Sequence, residues 1–349
     1  MRPAFLLILP LIISASTIAS GVGEPKFGTF KVDVVSLLTD GKTEQGKPEL
    51  AAERQGYRYL FTTQIHLNEF KNNPTKFEVQ LGGACGKMAE LAGRGSTDRY
   101  WIHKNKLYIF ASDGCRTGFQ SNPEGHIEVD EPRLKATPFE ARKGRELLDK
   151  AAKWTGLDKI RKSGSVTYLQ ESELKQGNTT YAVKGTTQVA SNGDYYDVTT
   201  YNGAGYANQI SKGKAVEIDS KGAVDEHVPT WKRALERQRA RSLAYLLLNR
   251  SSKNLTAKFD GVANGIASVV VNLDGATSTL WIDEATGKVI SQTVKGRNRP
   301  GIIGDVQLEF TSYAKSNGIT LPVAWTGTYN GQDSPLHERK VMRLEVKKG

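Results

Sequence analysis

The chain has 349 residues, more than the ~100–200 typical of one domain, so two domains are expected. Hydrophobic residues at 38%, charged residues at 24% and 35 glycines describe a folded, turn-rich protein and exclude a disordered one. A formal net charge of +11 suits an anionic membrane surface or acidic polymers outside the cytoplasm better than nucleic acid, and equally a merely solvated cationic surface.

At the start of the chain, Arg2 supplies a charge, Phe5 to Ile13 an apolar run around Pro10, and Ala15 to Gly21 a small-residue exit. That is the layout of a secretory signal peptide. Residues 1–21 are therefore expected to be cleaved, leaving a periplasmic or secreted protein. No cysteine follows the cleavage region, so lipid anchoring through an N-terminal cysteine is not expected. No later stretch approaches the roughly 20 apolar residues of a membrane-spanning helix.

Residues 26–132 form the first expected module, and they contain an internal repeat. YLFTTQIHLNEFKNNPTKF from Tyr59 aligns without a gap on YIFASDGCRTGFQSNPEGH from Tyr108, at an offset of 49 residues. Tyr59 and Tyr108, Phe61 and Phe110, Phe70 and Phe119, Asn73 and Asn122, and Pro74 and Pro123 coincide. Each copy reads as a short strand, a polar capping residue, one or two helical turns burying a Phe, and an Asn-Pro stop. Where the first copy carries His66, the second carries Cys115.

The run GYRYLFTTQIHLNEFKNNPTKFEVQLGGACGKMAELAGRG, followed by YWIHKNKLYIFASDGCRTGFQSNPEGHI, resembles a YHS domain of the secreted branch, with its Gly-Gly-x-Cys segment and later Lys-Leu-Tyr strand. The resemblance covers about residues 40–130 and implies a metal-binding module, although this chain has no Cys-x-x-Cys pair.

Cys85 and Cys115 are the only cysteines, and an even pair in an exported protein reads first as a disulfide. Closing the loop between them would add roughly 3–4 kcal/mol in the chain-entropy model. The alternative is a zinc or copper site drawn from His66, Cys85, His103 and Cys115, with free or redox-active thiols as the third reading.

Between Pro132 and Pro138 the chain has no apolar periodicity, and the boundary between modules belongs there. Pro138 opens a predicted helix over 138–160, in which Leu147, Leu148, Ala151, Ala152 and Trp154 share a face and Gly156 ends the first part. Residues 163–347 read as about ten strands. Alternation is visible in Ser278 to Ile282, Val289 to Val294, Val306 to Phe310 and Val341 to Val346. Asp283 to Gly287 and Asn317-Gly318 are hairpin turns, and Pro322 marks a strand end or edge. A sheet of that length curls or closes to protect its edges.

A leading helix ending near GLDKIRKSGSV, amphipathic strands, a helical insertion, WIDEATGKVISQTV, VQLEFTSYAKSNGITLP and the last strand ERKVMRLEV resemble the LolA-like fold of outer-membrane lipoprotein-sorting proteins. This resemblance spans about residues 140–347. It implies a curved antiparallel sheet, an incomplete barrel, whose hollow face is covered by helices and can hold acyl chains.

Thr230 to Asn249 is predicted as one helix with Trp231, Leu235, Leu243, Leu246 and Leu247 as an apolar stripe and Lys232, Arg233, Arg237, Arg239 and Arg241 over the rest. It would close the open side of the sheet, act as a lid, or touch an anionic membrane. The chain has no Gly-x-Ser-x-Gly elbow, no His-Glu-x-x-His and no phosphate loop, and its paired carboxylates sit in turn-like contexts, so an enzyme is not expected.

The expected fold is α+β: a small YHS-like module over 26–132, then a curved antiparallel sheet covered by helices over 138–349. The expected function is binding of an apolar or lipid-like ligand, or of an envelope lipoprotein, by Trp231, Leu235, Leu243, Leu246, Leu247, Leu280, Ile282 and Phe310, without a cofactor. A copper- or zinc-handling protein and a ligand-free scaffold are the rivals.

Overall fold

The structure, a computed structural model, describes residues 24–160, 164–176, 179–298 and 300–349, so the expected signal peptide lies outside the described residues. Two similar units open the chain. The first holds β1 (Gly28–Phe30), α1 (Val34–Thr39), the hairpin of β2 (Lys47–Arg54) and β3 (Tyr57–Phe61), α2 (Gln64–Asn72) and α3 (Pro74–Phe77). The second holds the hairpin of β4 (Ser96–His103) and β5 (Lys106–Phe110), then α4 (Asp113–Ser121) and α5 (Pro123–His126).

The sequence repeat takes the same course in both. Thr63 and Ser112 cap α2 and α4, accepting hydrogen bonds from the backbone N–H of His66 and Cys115 at 3.2 Å each. Phe70 and Phe119 are buried beneath those helices. The Asn-Pro pairs do more than stop a helix. Each proline opens a new short helix, because its fixed φ and missing N–H suit the first helical position.

α6 (Pro138–Thr155) starts in a capping box of Thr137 and Glu140 and ends at Gly156, whose φ of +77° lies in the left-handed region. A single 3₁₀ turn at Leu157–Lys159 completes the predicted span. Leu147, Leu148, Ala151 and Ala152 are buried as expected, while Trp154 meets Tyr313 edge-on. A side chain at Gly144 would crowd the backbone N of Phe259 at 3.2 Å, so this glycine lets α6 lie close on the sheet.

The rest of the chain supplies β6 (Ser165–Gln176), β7 (Thr179–Ala190), β8 (Tyr195–Tyr201), β9 (Ala204–Ser211), β10 (Lys214–Ile218), β11 (Val224–Glu226), α7 (Pro229–Ala240) and α8 (Leu243–Leu248). It continues with β12 (Leu255–Ala263), β13 (Ile266–Leu273), β14 (Ala276–Asp283), β15 (Val289–Arg297), β16 (Ile303–Ser316), β17 (Ile319–Tyr329), β18 (Gln332–Asp333) and β19 (Arg339–Lys347). These strands form one large, curved, open antiparallel sheet of 14 strands, more than the ten or so expected. Its order runs β11-β10-β9-β8-β7-β6-β19-β17-β16-β15-β14-β13-β12, with β18 beside β17, and it does not close into a barrel.

The sheet consists of two long ladders joined at one weak seam. β6 pairs with β7 along its whole length, and β16 with β17 from Val306 to Ser316. Among the described residues, β17 and β19, in contrast, pair only at Ala324 with Lys340 and Trp325 with Arg339. Pro322 lies inside β17 rather than at a strand end. It is tolerated there because its missing N–H falls before the seam pairing starts and opposite register shifts around Ser312.

The predicted helix 230–249 breaks in two at Arg241 and Ser242. Leu235, Leu243, Leu246 and Leu247 join one core with α6 and strands β6, β7 and β12 to β15. The two opening units have their own aromatic core around Phe30, Tyr57, Tyr59, Phe61 and Phe77. A third cluster joins the second unit to α7 through Trp231.

Candidate functional site

Two adjoining hollows form a trough over β15, β16 and β17 that reaches β6 on the far side of the seam. Its first hollow, about 160 Å³, lies between Tyr168 on β6, Leu243 on α8 and Phe310, Pro322 and Trp325 on β16 and β17. The second, about 370 Å³, is walled by Val294, Val306, Leu308, Trp325 and Leu336. Leu308 and Trp325 line both. Register explains the shared face. Gln292 opposes Leu308, Val294 opposes Val306, and Phe310 opposes Trp325, so these side chains point to one side of the sheet. Leu308 faces Gly327 across the ladder, and a Cβ there would sit 2.5 Å from that of His337, so the glycine lets the turn at Pro335–His337 close down on the sheet. Arg241 and Gln292 supply polar groups at the first hollow, and Arg297 at the second.

Of the eight residues expected to bind an apolar ligand, Leu243 and Phe310 line the trough. Leu235, Leu246, Leu247, Leu280 and Ile282 are packed into the core instead, each at most 1% exposed. Trp231 packs into the cluster of the second opening unit. Its indole N–H donates to the Leu81 carbonyl at 2.9 Å, and its ring packs against the Gly-Gly segment before Cys85. Trp325, Val294 and Val306 were missed, since alternation shows that they share a face but only strand order shows which face stays open.

The arginines of α7 do not form an outward cationic face. Arg237 is 4% exposed and meets three carboxylates from the segments before β12: Asp130 at 2.9 Å, Glu128 at 3.4 Å and Glu90 at 3.7 Å. Arg233 pairs with Asp130 at 2.7 Å, and Arg241 with Glu128. Arg297 approaches Glu128 at 3.8 Å. Arg233, Arg237 and Arg241 are thus engaged by carboxylates of this chain. Burial pushes the Glu90 carboxyl above its usual range despite Arg237 and Arg297 nearby. Burial also lowers Arg297, against the pull of Glu128 and Glu90.

The four residues of the proposed metal set are not brought together. His66 Nδ1 bonds the buried Asp33 carboxylate at 2.7 Å, and His103 Nε2 bonds Glu124 at 2.7 Å. Among the described residues, no group of three or more His, Cys, Asp or Glu is placed to hold a metal ion. Cys85 is buried and Cys115 half-buried, and the disulfide expected between them is not formed in this structure. Burial raises the Cys85 thiol, and the neighbouring Cys115 adds to the effect.

Among the described residues, no helix is long and apolar enough to cross a membrane. No protein-family model and no curated protein matches the chain. Solved structures with some likeness include a DUF1329 family protein from Desulfovibrio piger, 13% identical, covering 60% of this chain and 94% of that one at a TM-score of 0.38. A putative outer membrane lipoprotein-sorting protein domain from Vibrio parahaemolyticus is 14% identical, covers 60% of this chain and 94% of its own, and has a TM-score of 0.36. A LolA superfamily protein from Nitrosomonas europaea is 10% identical, covers 58% and 91%, and has a TM-score of 0.34.

Proposed function

We propose that the chain is an exported, non-enzymatic binding protein that holds an apolar or lipid-like ligand, a lipid or the acyl chain of an envelope lipoprotein, in the trough over β15 to β17 beside the β17–β19 seam. The observation that carries this reading is the pair of adjoining hollows sharing Leu308 and Trp325 as walls. Ligand sites of roughly 300–1,000 Å³ are mostly apolar with a few placed polar groups, and the larger hollow falls in that range. The seam adds a physical reason for the location. Two ladders held together at two register positions can separate there at less cost than along a continuous ladder.

Binding is tested with a fluorescent fatty-acid probe on the purified full chain and on Leu308→Asp. A carboxylate at a wall shared by both hollows should weaken binding at least tenfold while the thermal melt stays cooperative. Lipids extracted from the purified protein should be detectable by mass spectrometry. Absence of both probe binding and co-purified lipid would leave the scaffold reading, in which the packed core around Leu246 and Leu280 serves structure alone.

A further inference from the structure

The two opening units share more than the aligned sequence. In the first, β1 runs parallel to β3, and the chain then reaches Asp33. In the second, Cys85 makes a parallel bridge to Ile109 of β5, so the segment at Cys85 stands where β1 stands in the first unit. Asp33 accepts from the backbone N–H of Thr62 at 2.7 Å. Cys85 Sγ accepts from the backbone N–H of Ala111 at 3.4 Å. Thr62 and Ala111 are equivalent in the repeat, each just before the capping residue.

The carboxylate of the first unit is therefore matched by a thiol in the second. Its partner is matched too. His66, on the first turn of α2, closes on Asp33 at 2.7 Å. Cys115, its equivalent, occupies the first turn of α4 and packs against the cluster that contains Cys85. One unit is clamped by the hydrogen bond between Asp33 and His66, while the other places two sulfurs at the equivalent positions.

We propose that Cys85 and Cys115 are a dithiol built to close into an intramolecular disulfide, the covalent counterpart of the Asp33–His66 clamp. The oxidant is a disulfide-bearing protein or small molecule of an oxidising compartment. Half-buried Cys115, as its thiolate, attacks one sulfur of that disulfide; its S–S bond breaks, a mixed disulfide forms and one thiolate leaves. Cys85 gives its proton to solvent and attacks Cys115 Sγ, expelling the second thiolate. Two thiols of this chain are oxidised and one external disulfide is reduced to two thiols. The inference is independent of the trough, since none of the trough residues takes part.

The test uses the full chain, reduced, freed of reductant and incubated with glutathione disulfide, then denatured and alkylated before mass analysis. Alkylated thiols should fall from two per chain to none, with the loss of two hydrogens, no glutathione adduct and a monomer on a non-reducing gel. Cys115→Ser should leave Cys85 without a glutathione adduct while folded, because its thiol is buried. Two thiols still alkylated after oxidation, a persistent glutathione adduct on the unmodified chain, or covalent dimers would each overturn the proposal.

Discussion

Replacing Arg237 with Ala tests whether the opening units and the large sheet are joined by buried charge. Arg237 is on α7, yet its three carboxylate partners, Glu90, Glu128 and Asp130, all come from the chain before α6. Deleting one side of a buried ion pair typically costs about 3–5 kcal/mol, since the remaining charge is left in a poor solvent. Two features reduce the figure here. Burial already pushes Glu90 toward its neutral form, and the Asp130 side chain is 47% exposed and keeps Arg233. A loss of about 3 kcal/mol is expected, borne by the contact between the units and the sheet. Urea unfolding followed by Trp fluorescence and by far-ultraviolet circular dichroism should then separate into two transitions where the unaltered protein shows closer midpoints. Glu90→Gln should cost under about 1 kcal/mol, because it removes a charge whose burial is already unfavourable. If Arg237→Ala shifts stability by less than about 1 kcal/mol and leaves the two probes coincident, the arginine network does not hold this contact.

Gly82→Ala should destabilise the protein by about 2–3 kcal/mol, because φ is +58° there and a Cβ would sit 2.5 Å from Val228 and 2.9 Å from Trp231. Gly265→Ala, with open space around it, should cost about 1 kcal/mol for its φ of +77° alone, and thermal melts would compare the two. A pH dependence follows from His227, which burial, with Arg94 adding to it, holds down to about 4 from 6.5. Between those values the unfolded chain takes up a proton that the folded one refuses, so stability falls as pH drops from about 6.5 toward 4, by roughly 2 kcal/mol after solvent screening. His227→Gln, which can keep a hydrogen bond to Asn208, should flatten that slope in urea midpoints taken at pH 7 and pH 4.5.

Local chemistry was legible in the sequence wherever a short segment decides its own conformation. Pro138 and Gly156 mark the two ends of α6, and Asn317-Gly318, at φ of 49° and 78°, makes the mirror-image turn that strand twist favours. The repeat was legible too, down to Thr63 and Ser112 capping equivalent helices. What the sequence could not decide is which apolar residues touch each other and which stay open. Leu243 and Leu246 look alike on one stripe, yet Leu246 is packed while Leu243 borders the trough, because α8 begins at its edge. The arginines of α7 read as a solvated face since their carboxylate partners lie more than a hundred residues earlier, a distance over which helical periodicity carries no information. The seam has the same origin. Alternation fixes a strand and its two faces, but pairing order and register are set by long-range packing, and at β17–β19 they leave a short ladder beside the trough.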